Sequence, residues 1–261
     1  MKRLLIFFVL VLLVVSSAGL NAAGGFPDIQ PARVLQPLEE EFTVYWRSER
    51  ERTERRPSGV EYNYDNTRLF PIMVRAGLEE EFLNFQSEVG AWAAISSNSG
   101  DYSWRALESL NFYGKVKLLD GVALSGGLST GGTDEVRPYG NEGLDFWINL
   151  PAEIEVDTGS YLYAEAGYTF KGGDFENYPS LGVGYRTGEG SGNKRYLEVR
   201  GHGELYALES AGSNSFLEVE AGLQIALERG SYLLPSVGMG LDTGSPEYSL
   251  GLRYRVTSAG R

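Results

Sequence analysis

The chain has 261 residues, 42% of them hydrophobic, with 34 glycines, 16 tyrosines and no cysteine. The lack of cysteine excludes a disulfide framework, a thiolate metal site and a cysteine nucleophile, and the single histidine excludes a multi-histidine metal centre. The 35 acidic residues outnumber the 23 basic ones, for a net charge of -12, which argues against nucleic acid as a partner. The glycine and tyrosine content points to β-structure, and we predict no cofactor.

The first segment has the pattern of an export signal. Two basic residues precede the unbroken apolar run Leu4–Val15, and small residues follow it. This run is short for a membrane helix, which needs about 20 apolar residues, so a retained N-terminal anchor is the less favoured alternative. Cleavage after Ala18 or after Ala22 fits the small residues, and we take residues 1–22 as a signal peptide. Its loss would lower the basic count from 23 to 21 and leave a net charge of about -14.

Residues 23–40 contain three prolines and no periodic pattern, which predicts an exposed periplasmic lead-in. Beyond this segment the hydrophobic period is two, the period of a β-strand with one apolar face. In the segment 247–256, one face carries Tyr248, Leu250, Leu252, Tyr254 and Val256, and the other carries Glu247, Ser249, Gly251, Arg253 and Arg255. Similar segments predict about twelve strands, at 41–46, 60–77, 83–93, 110–118, 122–130, 145–155, 162–171, 180–187, 197–206, 217–227, 232–241 and 247–256.

The predicted connections alternate in length along the chain. Links after odd-numbered strands are long and polar (47–58, 96–104, 130–142, 172–178, 209–215 and 242–246). Links after even-numbered strands are mostly tight (78–81, 118–121, 157–160 and 228–231), with 187–193 as the exception. Long loops at one end and short turns at the other are typical of bacterial transmembrane barrels. We therefore predict an all-β fold, a transmembrane antiparallel up-and-down β-barrel of about twelve strands over residues 41–256, followed by a tail at 257–261.

Geometry predicts which face of each strand points outward. A barrel of twelve strands is too wide for Leu, Val and Ala side chains to fill, so the apolar face would turn outward to lipid. Five aromatic residues near strand ends fit an interfacial girdle: Trp46, Phe112, Phe170, Tyr248 and Tyr254. The soluble alternative is a two-sheet sandwich with the apolar face inward. It explains the alternation but neither the strand lengths nor the unequal connections.

Four segments carry a resemblance to a known family: 69–78 (LFPIMVRAGL), 112–117 (FYGKVK), 124–131 (LSGGLSTG) and 164–168 (AEAGY). With them the chain resembles Gram-negative outer-membrane β-barrels, and within that group the transporter family of the phenol-degradation meta-pathway (MetA-pathway). The resemblance extends over residues 40–256 as a pattern. It implies a location in the outer membrane and transport of small, hydrophobic solutes, and it assigns no site residue.

The polar faces predict a charged lumen. The expected lumen-lining residues are Glu88, Lys115, Lys117, Glu153, Glu165, Glu198, Arg200, His202, Glu204, Glu218, Glu220 and Arg253. Because carboxylates outnumber bases, an open lumen would favour cations or neutral polar solutes over anions. The alternative is that acid–base pairs bridge the lumen and close it. The sequence thus predicts a passive pore or transporter for small solutes, with a closed structural or surface-interaction barrel as the second hypothesis.

Two clusters suggest further roles. Glu198, Arg200, His202 and Glu204 share one strand face, which raises the hypothesis of a barrel hydrolase. No serine alternates beside His202, so structural pairing is favoured and we predict that the protein is not an enzyme. The first predicted loop is rich in arginine, with Arg47, Arg50, Arg52, Arg55 and Arg56. It would either contact lipopolysaccharide phosphates or form a solvated mixed-charge loop, and the intervening glutamates favour the second.

Overall fold

Twelve antiparallel strands close into one barrel. The structure is a computed structural model that describes residues 32–55, 61–78, 85–98, 106–130, 144–170, 177–187, 194–204, 214–227, 230–241 and 245–258. The strands are β1 (Glu40–Arg55), β2 (Glu61–Leu78), β3 (Ser87–Asn98), β4 (Ala106–Leu119), β5 (Val122–Thr130), β6 (Asp145–Asp157), β7 (Ser160–Phe170), β8 (Tyr178–Thr187), β9 (Lys194–Glu204), β10 (Asn214–Ala226), β11 (Ser231–Gly240) and β12 (Tyr248–Ser258). None of these residues belongs to a helix long and apolar enough to cross a membrane.

Each strand pairs with its neighbours in sequence, and β1 pairs with β12 to close the barrel. The predicted all-β, up-and-down, twelve-stranded barrel is therefore confirmed. Two-residue turns join β4 to β5 and β6 to β7, and their glycines, Gly121 and Gly159, have φ of 76° and 75°. Glycine adopts this left-handed conformation without the steric cost that a side chain brings. We call the end with these turns the turn end, and the opposite end the loop end.

The two faces of the strands differ as the alternation predicts. The predicted girdle residues are exposed on the outer face, with relative exposures of 36% for Trp46, 47% for Phe112, 49% for Phe170, 47% for Tyr248 and 41% for Tyr254. On β10 the side chains of Glu218 and Glu220 are 0% and 1% exposed, whereas Leu223 is 45% exposed. On this strand the carboxylates lie inside and the apolar side chains outside, and the single closed sheet excludes the two-sheet sandwich.

Several predicted strand boundaries differ from those of the structure, and two of them bear on the interior. Strand β1 continues to Arg55 and β2 begins at Glu61, so the long loop predicted at 47–58 is mostly strand. Arg47 lies on this strand, is 4% exposed and forms an ion pair inside the barrel. Because its charge is paired there, this charged segment can form a strand instead of a solvated loop. Strand β3 begins at Ser87 instead of 83, and the side chain of the preceding residue, Gln86, binds the N-terminal segment.

A β-bulge interrupts β2 at Pro71. The pairing register of β2 shifts on both sides, between Phe70 and Met73 opposite β1 and between Leu69 and Ile72 opposite β3. Proline cannot donate a ladder hydrogen bond, and bulges are among the few places in a sheet that tolerate it. The extra residue turns both Phe70 and Met73 inward, where they are 7% and 9% exposed.

Part of the described lead-in is buried, whereas the whole segment was predicted to be exposed. Val34 and Leu35 are 2% and 3% exposed. The Leu35 backbone N–H donates to Glu88 Oε2 at 2.7 Å, and Gln86 Nε2 donates to the carbonyl oxygens of Val34 and Leu35 at 3.0 and 3.2 Å. The segment therefore lies inside the mouth of the barrel at its turn end. The predicted signal peptide, 1–22, lies outside the described residues.

Candidate functional site

A cluster of large apolar and aromatic side chains lies inside the barrel. Its members are Tyr45, Phe70, Met73, Trp92, Tyr113 and Trp147. Tyr45 stacks on Phe70 with ring centroids 5.4 Å apart, and Trp92 lies 5.7 Å from Tyr113 and 6.4 Å from Trp147. These residues come from β1 to β4 and β6, so the cluster covers one side of the interior wall.

Glycines on neighbouring strands make room for these rings. Gly90 pairs directly with Tyr113, and a Cβ at Gly90 would lie 2.1 Å from Tyr113 Cε1. Gly127 pairs with Trp147 in the same way, and its Cβ would lie 2.6 Å from Trp147 Cζ2. An aromatic ring that covers a glycine is a recognised way to pack a sheet surface. The rings consequently lie against the wall instead of crossing the interior.

A buried ionic network lies toward the loop end. Arg47 Nη2 contacts Glu218 Oε2 at 2.6 Å, Arg47 Nη1 contacts Glu220 Oε2 at 3.0 Å, and Arg47 Nε contacts Glu49 Oε1 at 2.9 Å. Ser249 Oγ donates to Glu218 Oε1 at 2.5 Å. Buried charges are stable only when they are paired and hydrogen-bonded, and this network joins β1 to β10 and β12.

A second network lies near the turn end. Glu88, which is 1% exposed, accepts hydrogen bonds from Arg75 Nη2 at 2.9 Å and from Tyr113 Oη at 2.9 Å, and Lys115 Nζ lies 3.1 Å from it. Arg75 Nη1 also contacts Glu41 Oε1 at 3.1 Å. Because Glu88 also binds the lead-in at Leu35, this network connects the barrel wall to the N-terminal segment.

Next to this network the interior holds a cavity of ≈ 120 Å³. Its charged lining consists of five cationic and two acidic residues: Arg75, Lys115, Arg186, Arg253, Arg255, Glu41 and Glu198. Trp92, Tyr113, Tyr163 and Tyr196 supply aromatic surface. The acidic excess predicted for the lumen is therefore wrong for this cavity. Many carboxylates of the chain are held in buried networks, while several arginines face the open space.

The predicted lumen residues fall into three groups. Glu88, Lys115, Glu165, Glu198, Glu218 and Glu220 are buried inside the barrel. Glu153, Lys117 and Arg253 are half-buried, and Lys117 Nζ pairs with Asp120 Oδ1 at 2.7 Å beside a turn. The side chains of Arg200, His202 and Glu204 lie outside the described part of the structure. Whether the first two groups line a path for solutes stays a prediction.

Sequence reasoning missed Arg75, Arg186 and Arg255 as interior residues. Arg255 stood on the predicted polar face of its strand. Arg75 lies on β2, where a bulge weakens the alternation, and Arg186 lies on β8, where glycines weaken it. The interior aromatics Trp92, Tyr113 and Trp147 also stood on predicted polar faces. Their position among polar residues was the signal that aromatic rings line this interior.

Solved structures with a similar fold include an outer-membrane channel and two autotransporter domains. The COG4313 outer membrane channel from Pseudomonas putida F1 superposes with a TM-score of 0.69 and 10% identity over 88% of this chain and 100% of that chain. This chain has the fold of an outer-membrane β-barrel. No family model and no curated protein sequence matches it.

Two autotransporter domains are also similar to this outer-membrane β-barrel. The β domain of the Bordetella autotransporter BrkA has a TM-score of 0.57 and 14% identity over 85% of this chain and 100% of that chain. The translocator domain of NalP from Neisseria meningitidis has a TM-score of 0.53 and 13% identity over 86% of this chain and 89% of that chain. The resemblance to outer-membrane barrels is confirmed at the level of the fold.

Proposed function

We propose that the chain is an outer-membrane pore or transporter for small solutes. The observation that carries the proposal is the arrangement of the two faces of one closed barrel. Apolar side chains such as Phe112 and Ile148 are 47% and 45% exposed outside, while charged side chains and a cavity lie inside. An apolar exterior requires an apolar solvent, and closure leaves no strand edge unpaired, as a bilayer demands.

The packing of the interior side chains favours an open pore over a filled core. The aromatic rings lie over glycines of the wall, and the Arg47 network lies over the small residues Gly238 and Ser249. Large side chains placed against small ones leave space along the axis. The cavity, with its mixed aromatic and cationic lining, is part of that space.

A closed structural barrel is the second candidate, and the buried lead-in favours it. Val34 and Leu35 occupy the turn-end mouth and are held by Glu88 and Gln86. A segment fixed there narrows the route to the periplasm. Under the pore hypothesis this segment limits the rate of passage, and under the closed-barrel hypothesis it completes the seal.

Single-channel recording in planar bilayers decides between the two candidates. The purified full chain, shown to be folded by heat-modifiable gel migration, is added to one side of the membrane. Discrete conductance steps support the pore. Folded protein that inserts and gives no steps contradicts it and supports the closed barrel.

The proposal assigns no catalytic role and limits the contact with lipopolysaccharide. Glu198, the member of the predicted catalytic cluster whose side chain is described, accepts a hydrogen bond from Tyr163 Oη at 2.7 Å, which is a structural contact.

Arg47 is buried and unavailable to lipid phosphates, while the exposed Arg50 is paired with Asp65. A His202→Ala variant should conduct like the parent protein. A hydrolytic activity that this variant lost would contradict the proposal.

A further inference from the structure

The cavity in the barrel interior combines positive charge with aromatic surface. Arg75 and Lys115 share Glu88, and Glu41 lies 3.1 Å from Arg75 and 3.8 Å from Arg255. Five cationic and only two acidic side chains line the cavity, so its lining carries a net positive charge. A cavity of this kind attracts an anion, because low-dielectric walls strengthen the field of the unbalanced charge.

Arg186 is the residue best placed to bind that anion. Its guanidinium lies 5.1 Å from the ring centroid of Tyr161 and 6.0 Å from that of Tyr163. Within the described residues it forms no ion pair, and its buried Nε has no hydrogen-bond partner. A buried N–H without a partner costs about 1–3 kcal/mol, so such a group marks a place for a ligand or a water molecule. Contact with ring faces leaves the guanidinium donors free to bind a carboxylate bidentately.

The size and the remaining lining of the cavity restrict the ligand further. The cavity of ≈ 120 Å³ is close to the roughly 150 Å³ of a dry cavity that holds one benzene molecule. Trp92, Tyr113, Tyr163 and Tyr196 offer flat apolar surface for a ring of that size. We propose that the cavity is a binding site for a small organic acid, with its carboxylate on Arg186 and an apolar body of about one six-membered ring against the aromatic residues. This inference names a substrate class for the proposed pore and rests on that function for its physiological meaning.

Calorimetric titration of the detergent-solubilised full chain tests the site without requiring conduction. Benzoate is the probe, and benzyl alcohol and benzylamine are neutral and cationic comparators of the same size. We expect benzoate to bind more tightly than both. Arg186→Gln should weaken benzoate binding about tenfold or more, and Arg186→Lys should restore part of it, because lysine keeps the charge but not the bidentate geometry.

Arg50→Gln is the matched control. It removes one positive charge from an exposed arginine that pairs with Asp65 away from the cavity, and it should bind benzoate like the parent protein. Equal affinity for the three probes, or parental benzoate affinity in a folded Arg186→Gln variant, would overturn the proposal. Heat-modifiable migration shows that each variant is folded.

Recording in bilayers separates this inference from the pore itself. Conductance that benzoate blocks in the parent protein and fails to block in Arg186→Gln supports both. Conductance with no preference among the three probes contradicts the acid site and leaves the pore standing. Benzoate binding that depends on Arg186 in a protein that does not conduct supports the site and contradicts the pore.

Discussion

Arg47 and Glu218 form a buried salt bridge of 2.6 Å between β1 and β10, although β12 and β11 lie between these strands in the barrel. The intervening strands turn small side chains inward. A Cβ at Gly238 on β11 would lie 2.2 Å from Glu218 Oε1, and Ser249 on β12 donates a hydrogen bond to the same oxygen. The pair therefore lies over the wall and ties non-adjacent strands together.

Replacing Arg47 should strongly destabilise the barrel. Arg47→Gln removes the guanidinium that contacts Glu49, Glu218 and Glu220, all of them 2% exposed or less. Breaking a buried charge pair from one side typically costs about 3–5 kcal/mol, because the partner charge stays buried. The measurement is urea unfolding in detergent or lipid. Arg50→Gln, at an exposed pair, should cost about 1 kcal/mol or less, and equal losses in the two variants would contradict the assigned network.

Replacing Gly90 with alanine should destabilise the barrel. A methyl group there would lie 2.1 Å from the Tyr113 ring, which must then move away from the wall and from Glu88, to which its hydroxyl donates at 2.9 Å. We expect Gly90→Ala to cost about 1–3 kcal/mol, as overpacking does, and to alter the conductance. Gly114→Ala is the control, since a Cβ at Gly114 would lie 3.9 Å from the Glu88 carbonyl oxygen, an ordinary contact distance. Parental stability and conductance in Gly90→Ala would argue against a fixed Tyr113 ring.

The sequence predicted the strands and their faces because a closed barrel applies one rule to every strand. With no free edges, each strand has lipid on one side and the interior on the other, and period two is therefore visible throughout, as in β6 and β12. The rule fails where a polar segment has a distant partner. The local sequence predicts that Arg47 lies in a loop, because its partner Glu218 is 171 positions away in the chain.

The site was harder to predict than the fold for the same physical reason. The polar faces showed which charges point inward but not which of them pair, so an acidic composition suggested an acidic lumen. Glu218 and Glu220 form ion pairs with Arg47. Glu88 forms ion pairs with Arg75 and Lys115. The burial of Leu35 had no periodic signal, since a short segment held by Glu88 and Gln86 need not be a strand.

Loosening the lead-in should increase conduction. Gln86→Ala removes the hydrogen bonds of 3.0 and 3.2 Å that hold the carbonyl oxygens of Val34 and Leu35, and it leaves the Glu88 network intact. We expect a larger or more variable single-channel conductance, because the segment would leave the mouth more often. Arg33→Ala is the control, since that side chain is 61% exposed and its pair with Glu39 is worth little. Unchanged traces in Gln86→Ala and in a variant lacking residues 32–38 would show that the segment does not limit passage.

The outer face should tolerate charge only near its ends. Ile148 and Val156 are both outward-facing residues of β6, with exposures of 45% and 41%, but Ile148 lies within the sheet and Val156 lies next to the turn at 158–159. Arginine on the lipid face of a barrel costs about 2–4 kcal/mol at the bilayer midplane and about 0–1 near the interface. Ile148→Arg should therefore lower the free energy of unfolding in lipid by the larger amount and Val156→Arg by the smaller. In a detergent micelle, which can deform around a charge at either position, the two variants should have similar free energies of unfolding. A difference seen only in the bilayer would identify lipid as the solvent of this face. Equal stability of both variants in the bilayer would contradict a membrane-spanning position for β6.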